Sequence, residues 1–180
     1  SMGGSISGRM ADGEVSAGDD KILKTMVSPE LADIHITFES ITAERLLSEE
    51  IQPADWAALI HAIAQKVASG TANGIVITHG TDTLSYTAPL IYWLFADTPV
   101  PIVFTASNTP PAQLGPNDPP DEARLNLNRA IRLANEKEKG IYVVFGEKIL
   151  SPINLKFLRP TLYGFTNWNT GEPLFAGAGL

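Results

Sequence analysis

Four apolar or β-branched residues, Ile75-Val76-Ile77-Thr78, run directly into His79-Gly80-Thr81-Asp82-Thr83, and an apolar helical pattern follows. Hydroxyls, a carboxylate and a glycine packed behind a buried strand can bind and attack a small polar substrate. Thr81 and Asp82 also open the next helix, where unpaired N–H groups and the helix dipole attract negative charge. Helix capping accounts for Asp82 or Thr83 alone, but capping needs one such residue and not five in succession. A second cluster, Gly3-Gly4-Ser5-Ile6-Ser7-Gly8, sets serines among glycines that can take positive φ and let the backbone crowd a ligand. Such a serine can be an exposed nucleophile, although the same composition also suits a disordered chain end. His79 stands without a second histidine or an extra carboxylate at metal-ligand spacing, so it reads as structural, as do His35 and His61.

The elements that must hold these residues follow from periodicity. Asp20–Leu31 is helical, with Ile22, Leu23, Met26 and Val27 on one side, and His35–Ile41 (HITFESI) alternates like a strand. Pro53 fits a first helical turn, and Trp56, Leu59, Ile60, Ile63, Ala64 and Val67 form a stripe that Gly70 closes. Gly74–Thr78, Pro101–Thr105 and Ile141–Phe145 are continuous apolar strands, as found where both sheet faces are covered. Between them lie helices over Thr83–Phe95 and Asp121–Glu136. This alternation predicts a doubly wound, mostly parallel α/β sheet. Ligands of such sheets bind beyond the carboxyl ends of the strands, here at His79–Thr83 and at Ala106-Ser107-Asn108. Gly3–Gly18 and the proline-rich stretch Thr109–Pro120 read as long loops.

Composition narrows the function classes. A chain of 180 residues suits one domain able to bury a core without staples. With 44% hydrophobic and 18% charged residues it is globular and not disordered. The absence of cysteine removes disulfides and thiolate nucleophiles or metal ligands. A net charge of −7 argues against nucleic acid as the main partner. No apolar run reaches membrane-spanning length, and the Gly- and Ser-rich residues at the start lack the apolar core by which a signal peptide is read, so none is expected among them.

Two motifs carry a family resemblance. His79-Gly80-Thr81-Asp82-Thr83 and Met2-Gly3-Gly4-Ser5-Ile6 resemble the His-Gly-Thr-Asp-Thr and Thr-Gly-Gly-Thr-Ile signatures of the bacterial-type L-asparaginases, the asparaginase/glutaminase family. Ser48-Glu49-Glu50-Ile51-Gln52-Pro53-Ala54-Asp55-Trp56 is similar to the family's substrate-binding segment, and Phe104-Thr105-Ala106-Ser107 to its Leu-Thr-Gly-Ala/Ser turn. Ser151–Phe165, with Lys156, is similar to the segment bearing the catalytic lysine.

The resemblance implies that residues 1–180 form a flavodoxin-like, asparaginase-type amino-terminal catalytic domain, without the family's carboxyl-terminal domain. It implies Ser5 as nucleophile and Thr81, Asp82 and Lys156 as the second catalytic group. Ser48 and Gly80 would hold the substrate α-carboxylate, Asp82 and Glu49 would face its α-ammonium, and Ser107 would offer its carbonyl to the side-chain amide. No metal or cofactor is implied. The reaction would be hydrolysis of L-asparagine, with L-glutamine as second candidate, in a cytoplasmic homo-oligomer; a periplasmic location stays open. The sequence departs from the family pattern in four places. Val15 lies near the place of a loop tyrosine, Glu49 replaces an amide or hydroxyl, only Ser1 and Met2 precede Gly3 where a strand is usual, and the second domain has no counterpart. Two alternatives therefore stand beside hydrolysis: a non-catalytic binding module for aspartate-like ligands, and an amidotransferase subunit releasing ammonia for transfer-RNA amidation.

Overall fold

The alternation of apolar strands and amphipathic helices produces the expected α/β architecture. The computed structural model describes residues 1–11, 14–16, 20–41, 47–112, 119–137, 139–158, 164–167 and 175–176. In chain order the elements are β1 (Arg9–Ala11), β2 (Glu14–Ser16), α1 (Asp20–Met26), α2 (Pro53–Ser69), β3 (Ile75–Thr78), α3 (Thr81–Leu94), β4 (Pro101–Thr105), α4 (Glu122–Glu136), β5 (Gly140–Phe145), β6 (Lys148–Leu150), β7 (Leu155–Leu158), β8 (Gly164–Asn167) and β9 (Phe175–Ala176). Among the described residues no helix is long and apolar enough to cross a membrane.

Local chemistry sets the helix ends. α2 starts with Pro53 in its first turn, where the Asp55 carboxylate accepts the Gln52 N–H at 2.8 Å, and it stops at Gly70 with φ 62°. Asp121 caps α4 by accepting the Arg124 N–H at 2.9 Å. α1 ends at Met26, short of the expected Leu31. Ser28 precedes a proline, which disfavours helical backbone, and a separate 3₁₀ turn, Pro29–Leu31, takes over.

The main sheet has the order β3-β4-β5-β6-β9. β3, β4 and β5 run parallel, and β6 and β9 add antiparallel partners. Alternate residues of β4 face opposite layers. Ile102 and Phe104 join a core with Leu59 and Ile63 of α2 and Leu84, Ala88 and Ile91 of α3. Val103 joins Ala130, Leu133 and Ala134 of α4. The two crossovers, β3–α3–β4 and β4–α4–β5, thus step in one direction across the sheet but pass over opposite faces. They have opposite hands, so one of them breaks the usual right-handed preference. At the carboxyl ends of β3 and β4 the chain leaves toward opposite faces, which opens a crevice between them.

Three expectations are corrected. His35–Ile41 shows period-two burial, with Ile34, Ile36 and Phe38 half-buried and His35, Thr37 and Glu39 exposed, yet among the described residues it belongs to no strand ladder. Within Gly3–Gly18, read as one loop, Ser5–Ser7 is a 3₁₀ turn and β1 pairs antiparallel with β2. The β6 strand and the β7–β8 hairpin, which packs against α3, lie where no element was foreseen. Residues 113–118 of the proline-rich stretch and the side chain at Val15 lie outside the described residues.

Candidate functional site

Three segments distant in sequence converge at the carboxyl end of β3. Gly3 and Gly4 adopt φ of 79° and 82°, a region that L side chains rarely enter. A β-carbon on Gly4 would lie 2.4 Å from both Cα and N of Gly80. One on Gly80 would lie 2.3 Å from Ser48 Oγ and 3.3 Å from Gly4 Cα. The Ser5 loop, the His79–Thr83 loop and the Ser48 turn therefore touch through atoms that leave no room for a side chain. This contact groups Ser5, Ser48, Gly80, Thr81 and Asp82.

Hydrogen bonds fix the arrangement. Ser48 is buried, and its Oγ accepts the Asp82 N–H at 3.2 Å, so its own proton remains available to a ligand. Thr83 Oγ1 donates to Ser48 O at 2.9 Å. The 3₁₀ turn Ser48–Glu50 is tied by the Glu50 carboxylate accepting the Leu47 N–H at 3.0 Å. Ser5 is half-buried and opens the 3₁₀ turn that closes when the Gly8 N–H reaches Ser5 O at 2.9 Å. α3 begins at Thr81 with Gly80 as its N-cap, which supplies no side-chain acceptor, so the first N–H groups and the dipole face this cluster. Thr81 is buried, while Asp82 and Glu49 are exposed. The assembly offers one half-buried hydroxyl, helix N–H donors for an anion and a carboxylate for a cation.

The second wall of the crevice is the turn after β4. Ser107 is buried; its hydroxyl donates to Thr109 O at 2.7 Å, with Glu122 Oε2 at 3.2 Å. Glu122 also accepts from Asn108 N at 2.9 Å and Asn108 Nδ2 at 3.0 Å. Buried Asn126 donates to Ala106 O at 2.8 Å and accepts the Gly146 N–H at 2.9 Å, which ties the β4 turn to the turn after β5. Glu122 and Asn126 escape the sequence reading. The available signal was an asparagine inside the apolar stripe Ala123, Leu127, Ala130, where a buried amide needs a polar partner.

Lys156 lies on β7, exposed, in the hairpin packed against α3. Among the described residues no group of histidines and carboxylates is arranged to hold a metal ion.

His79 is fully buried, with Nδ1 2.8 Å from Gly80 O. A carbonyl only accepts, so Nδ1 carries the proton and Nε2 is the bare, unpartnered nitrogen. Burial lowers the histidine pKa from 6.5 to about 4, partly opposed by the Gly80 hydrogen bond. The histidine is thus a neutral brace under the loop.

Known proteins share this arrangement of chain. The family model described as "Asparaginase, N-terminal" matches residues 1–172. The chain is 39% identical over 100 residues to an L-asparaginase of Thermococcus kodakarensis, covering 56% of this chain and 28% of that protein. It is 34% identical over 149 residues to a glutamyl-tRNA(Gln) amidotransferase subunit of Methanococcus maripaludis, covering 80% of this chain and 33% of the other. The solved structure of a probable cytoplasmic L-asparaginase from Campylobacter jejuni superposes with TM-score 0.75 at 25% identity, over 99% of this chain and 57% of that one. The chain therefore spans about a third or less of the length of the first two relatives and little more than half of the third.

Two outcomes are expected. Gly80→Ala should destabilise the protein by about 2 kcal/mol or more, since a tightly packed site must shift. Adding Ser48→Gly should recover part of that loss in a denaturant double-mutant cycle, and strict additivity of the two changes would rule out the contact. For His79, the folded pKa lies below the unfolded value, so its contribution is complete above about pH 6.5 and is lost as pH falls toward 4. Between pH 7 and pH 5 this amounts to about 2 kcal/mol. His79→Asn should flatten the stability–pH curve in that window, read from melts in matched buffers.

Proposed function

Because the chain belongs to the asparaginase family, as its amino-terminal domain, we propose that it serves an amidohydrolase that cleaves the side-chain amide of L-asparagine through an acyl-enzyme ester on Ser5. L-glutamine is the second candidate substrate. The observation that carries this reading is the close approach of the Gly4 and Gly80 backbones, with the Ser48 side chain against Gly80, which gathers Ser5 and the start of α3 around one small volume.

In the proposed sequence Ser5 Oγ attacks the amide carbon while its proton passes to a base. The tetrahedral intermediate then expels the amide nitrogen as ammonia after that nitrogen takes up the proton, leaving an ester that water hydrolyses. The N–H groups of Thr81 and Thr83 and the dipole of α3 stabilise negative charge on the substrate. Ser48 and Gly80 receive the α-carboxylate, Asp82 and Glu49 the α-ammonium, and Ser107 O the amide. Lys156 is the base, with Thr81 and Asp82 relaying and orienting the proton transfer. An exposed lysine is a poor base until it is desolvated, so we assign the covering role to a neighbouring copy in a homo-oligomer. We place the enzyme in the cytoplasm, where the Campylobacter protein's name places that neighbour.

The similarity to the Methanococcus amidotransferase favours a second reading of the same chemistry, in which the released ammonia passes to a partner protein that uses it on transfer RNA. The two readings share Ser5, Thr81, Asp82 and Lys156.

Ammonia release from asparagine and glutamine, with mass spectrometry for a covalent adduct, tests the proposal. Ser5→Ala should abolish the ester and lower turnover by about three orders of magnitude or more, with melting unchanged. Lys156→Met should do the same. Full activity in Ser5→Ala would move the nucleophile to Thr81. Saturable aspartate binding with no ammonia from either amide would make the protein a binding module.

A further inference from the structure

The reaction proposed above uses one carbonyl of the turn after β4, and the hydrogen bonds of that turn narrow which one can serve. Thr105 O accepts the His79 N–H at 2.9 Å, Ala106 O accepts Asn126 Nδ2 at 2.8 Å, and Thr109 O accepts the Ser107 hydroxyl at 2.7 Å. The hydrogen bonds of the described residues thus occupy these three oxygens and leave Ser107 O open. Ser107 is buried, where an acceptor without a donor is costly, so this oxygen is suited to a ligand N–H.

Ser107 C=O and Asn108 N–H belong to one peptide unit. In a trans peptide the two point in opposite directions, so whatever holds the N–H aims the oxygen. Glu122 holds it. Its Oε2 accepts the Asn108 N–H at 2.9 Å, with Ser107 Oγ at 3.2 Å, and its Oε1 accepts Asn108 Nδ2 at 3.0 Å. The carboxylate therefore grips Asn108 at two points and touches Ser107 as well. It is half-buried on the first residue of α4, where the helix dipole favours negative charge. One turn further along the same helix face, Asn126 fixes the preceding carbonyl, Ala106 O. A bond from N–H to a charged acceptor is strong, and it polarises the peptide so that its oxygen becomes the better acceptor.

We propose that Glu122 is a positioning residue that sets specificity. It aims and polarises the Ser107 carbonyl so that this wall takes the NH2 of a side-chain amide and rejects the carboxylate that hydrolysis leaves. The place of the substrate rests on the amidohydrolase reading. An amide NH2 brings two protons to the wall, whereas an ionised carboxylate brings none and only accepts. It also carries the same sign of charge as Glu122, which stands behind the wall. Substrate is held and acid product is released by the same peptide group, although Glu122 touches neither.

The test uses the full chain carrying Ser5→Ala, titrated calorimetrically near neutral pH with L-asparagine and with L-aspartate. Glu122→Gln keeps an acceptor for the Asn108 N–H and removes the charge, and the Asn108 amide can turn over to meet the new NH2. It should tighten aspartate at least threefold and leave asparagine within twofold. Glu122→Ala frees the peptide and should weaken asparagine at least fivefold, with a smaller effect on aspartate. Should that variant not fold, the Glu122→Gln arm decides alone. Equal weakening of both ligands would mean that Glu122 only props the fold, and would overturn the proposal, as would binding of neither ligand. Ammonia release by the native chain decides the hydrolytic reading separately. Release with discrimination unchanged in Glu122→Gln would sink this inference and leave that reading standing. Aspartate tightened in Glu122→Gln with no ammonia from the native chain would support the Glu122 wall and refute hydrolysis.

Discussion

The candidate site depends on one close approach, that of Gly4 to Gly80 with Ser48 behind. No residue other than glycine satisfies both positions: at Gly4 the backbone is left-handed and an added β-carbon meets main-chain atoms that cannot rotate away, and at Gly80 it meets the Ser48 side chain. Glycine loses more conformational freedom on folding than other residues, and here that loss accompanies the approach of the Ser5 turn to the start of α3. The grouping of the candidate site residues follows from that distance. Ser5 comes next after the tight turn, Thr81 and Asp82 next after Gly80, and the Ser48 hydroxyl is locked on the Asp82 amide.

A contact this tight needs a rigid floor, which the sheet supplies. β3 and β4 are covered by α2 and α3 on one face and by α4 on the other, so their ends cannot shift without opening a packed core. The same division of helices creates the crevice. Had both crossovers passed over one face, the loops after β3 and β4 would have left together and filled it.

The polar groups beneath the crevice are arranged to be either satisfied or neutral. Asn126 and Glu122 absorb the backbone groups of the β4 turn, and His79 is kept uncharged by burial. A protonated imidazole there would place a buried positive charge next to the helix N-terminus and oppose its electrostatics. The charged residues of the candidate site, Asp82 and Glu49, stay exposed on its solvent side.

Much of this was legible in the sequence because it is local. Continuous apolar runs announced β3, β4 and β5, Pro53 and Gly70 bracketed α2, and the density of hydroxyls after Thr78 marked the site, since each signal needs only neighbouring residues. Non-local facts could not be read this way. HITFESI has the alternation of a strand, but a ladder needs a partner on a second segment, and periodicity says nothing about that segment. Asn126 passed unread inside an apolar stripe, because its partner, the Ala106 carbonyl, comes from a distant segment. The approach of Gly4 to Gly80 was equally invisible: glycine in sequence permits a close contact, but only the packed sheet decides which backbone arrives to make it.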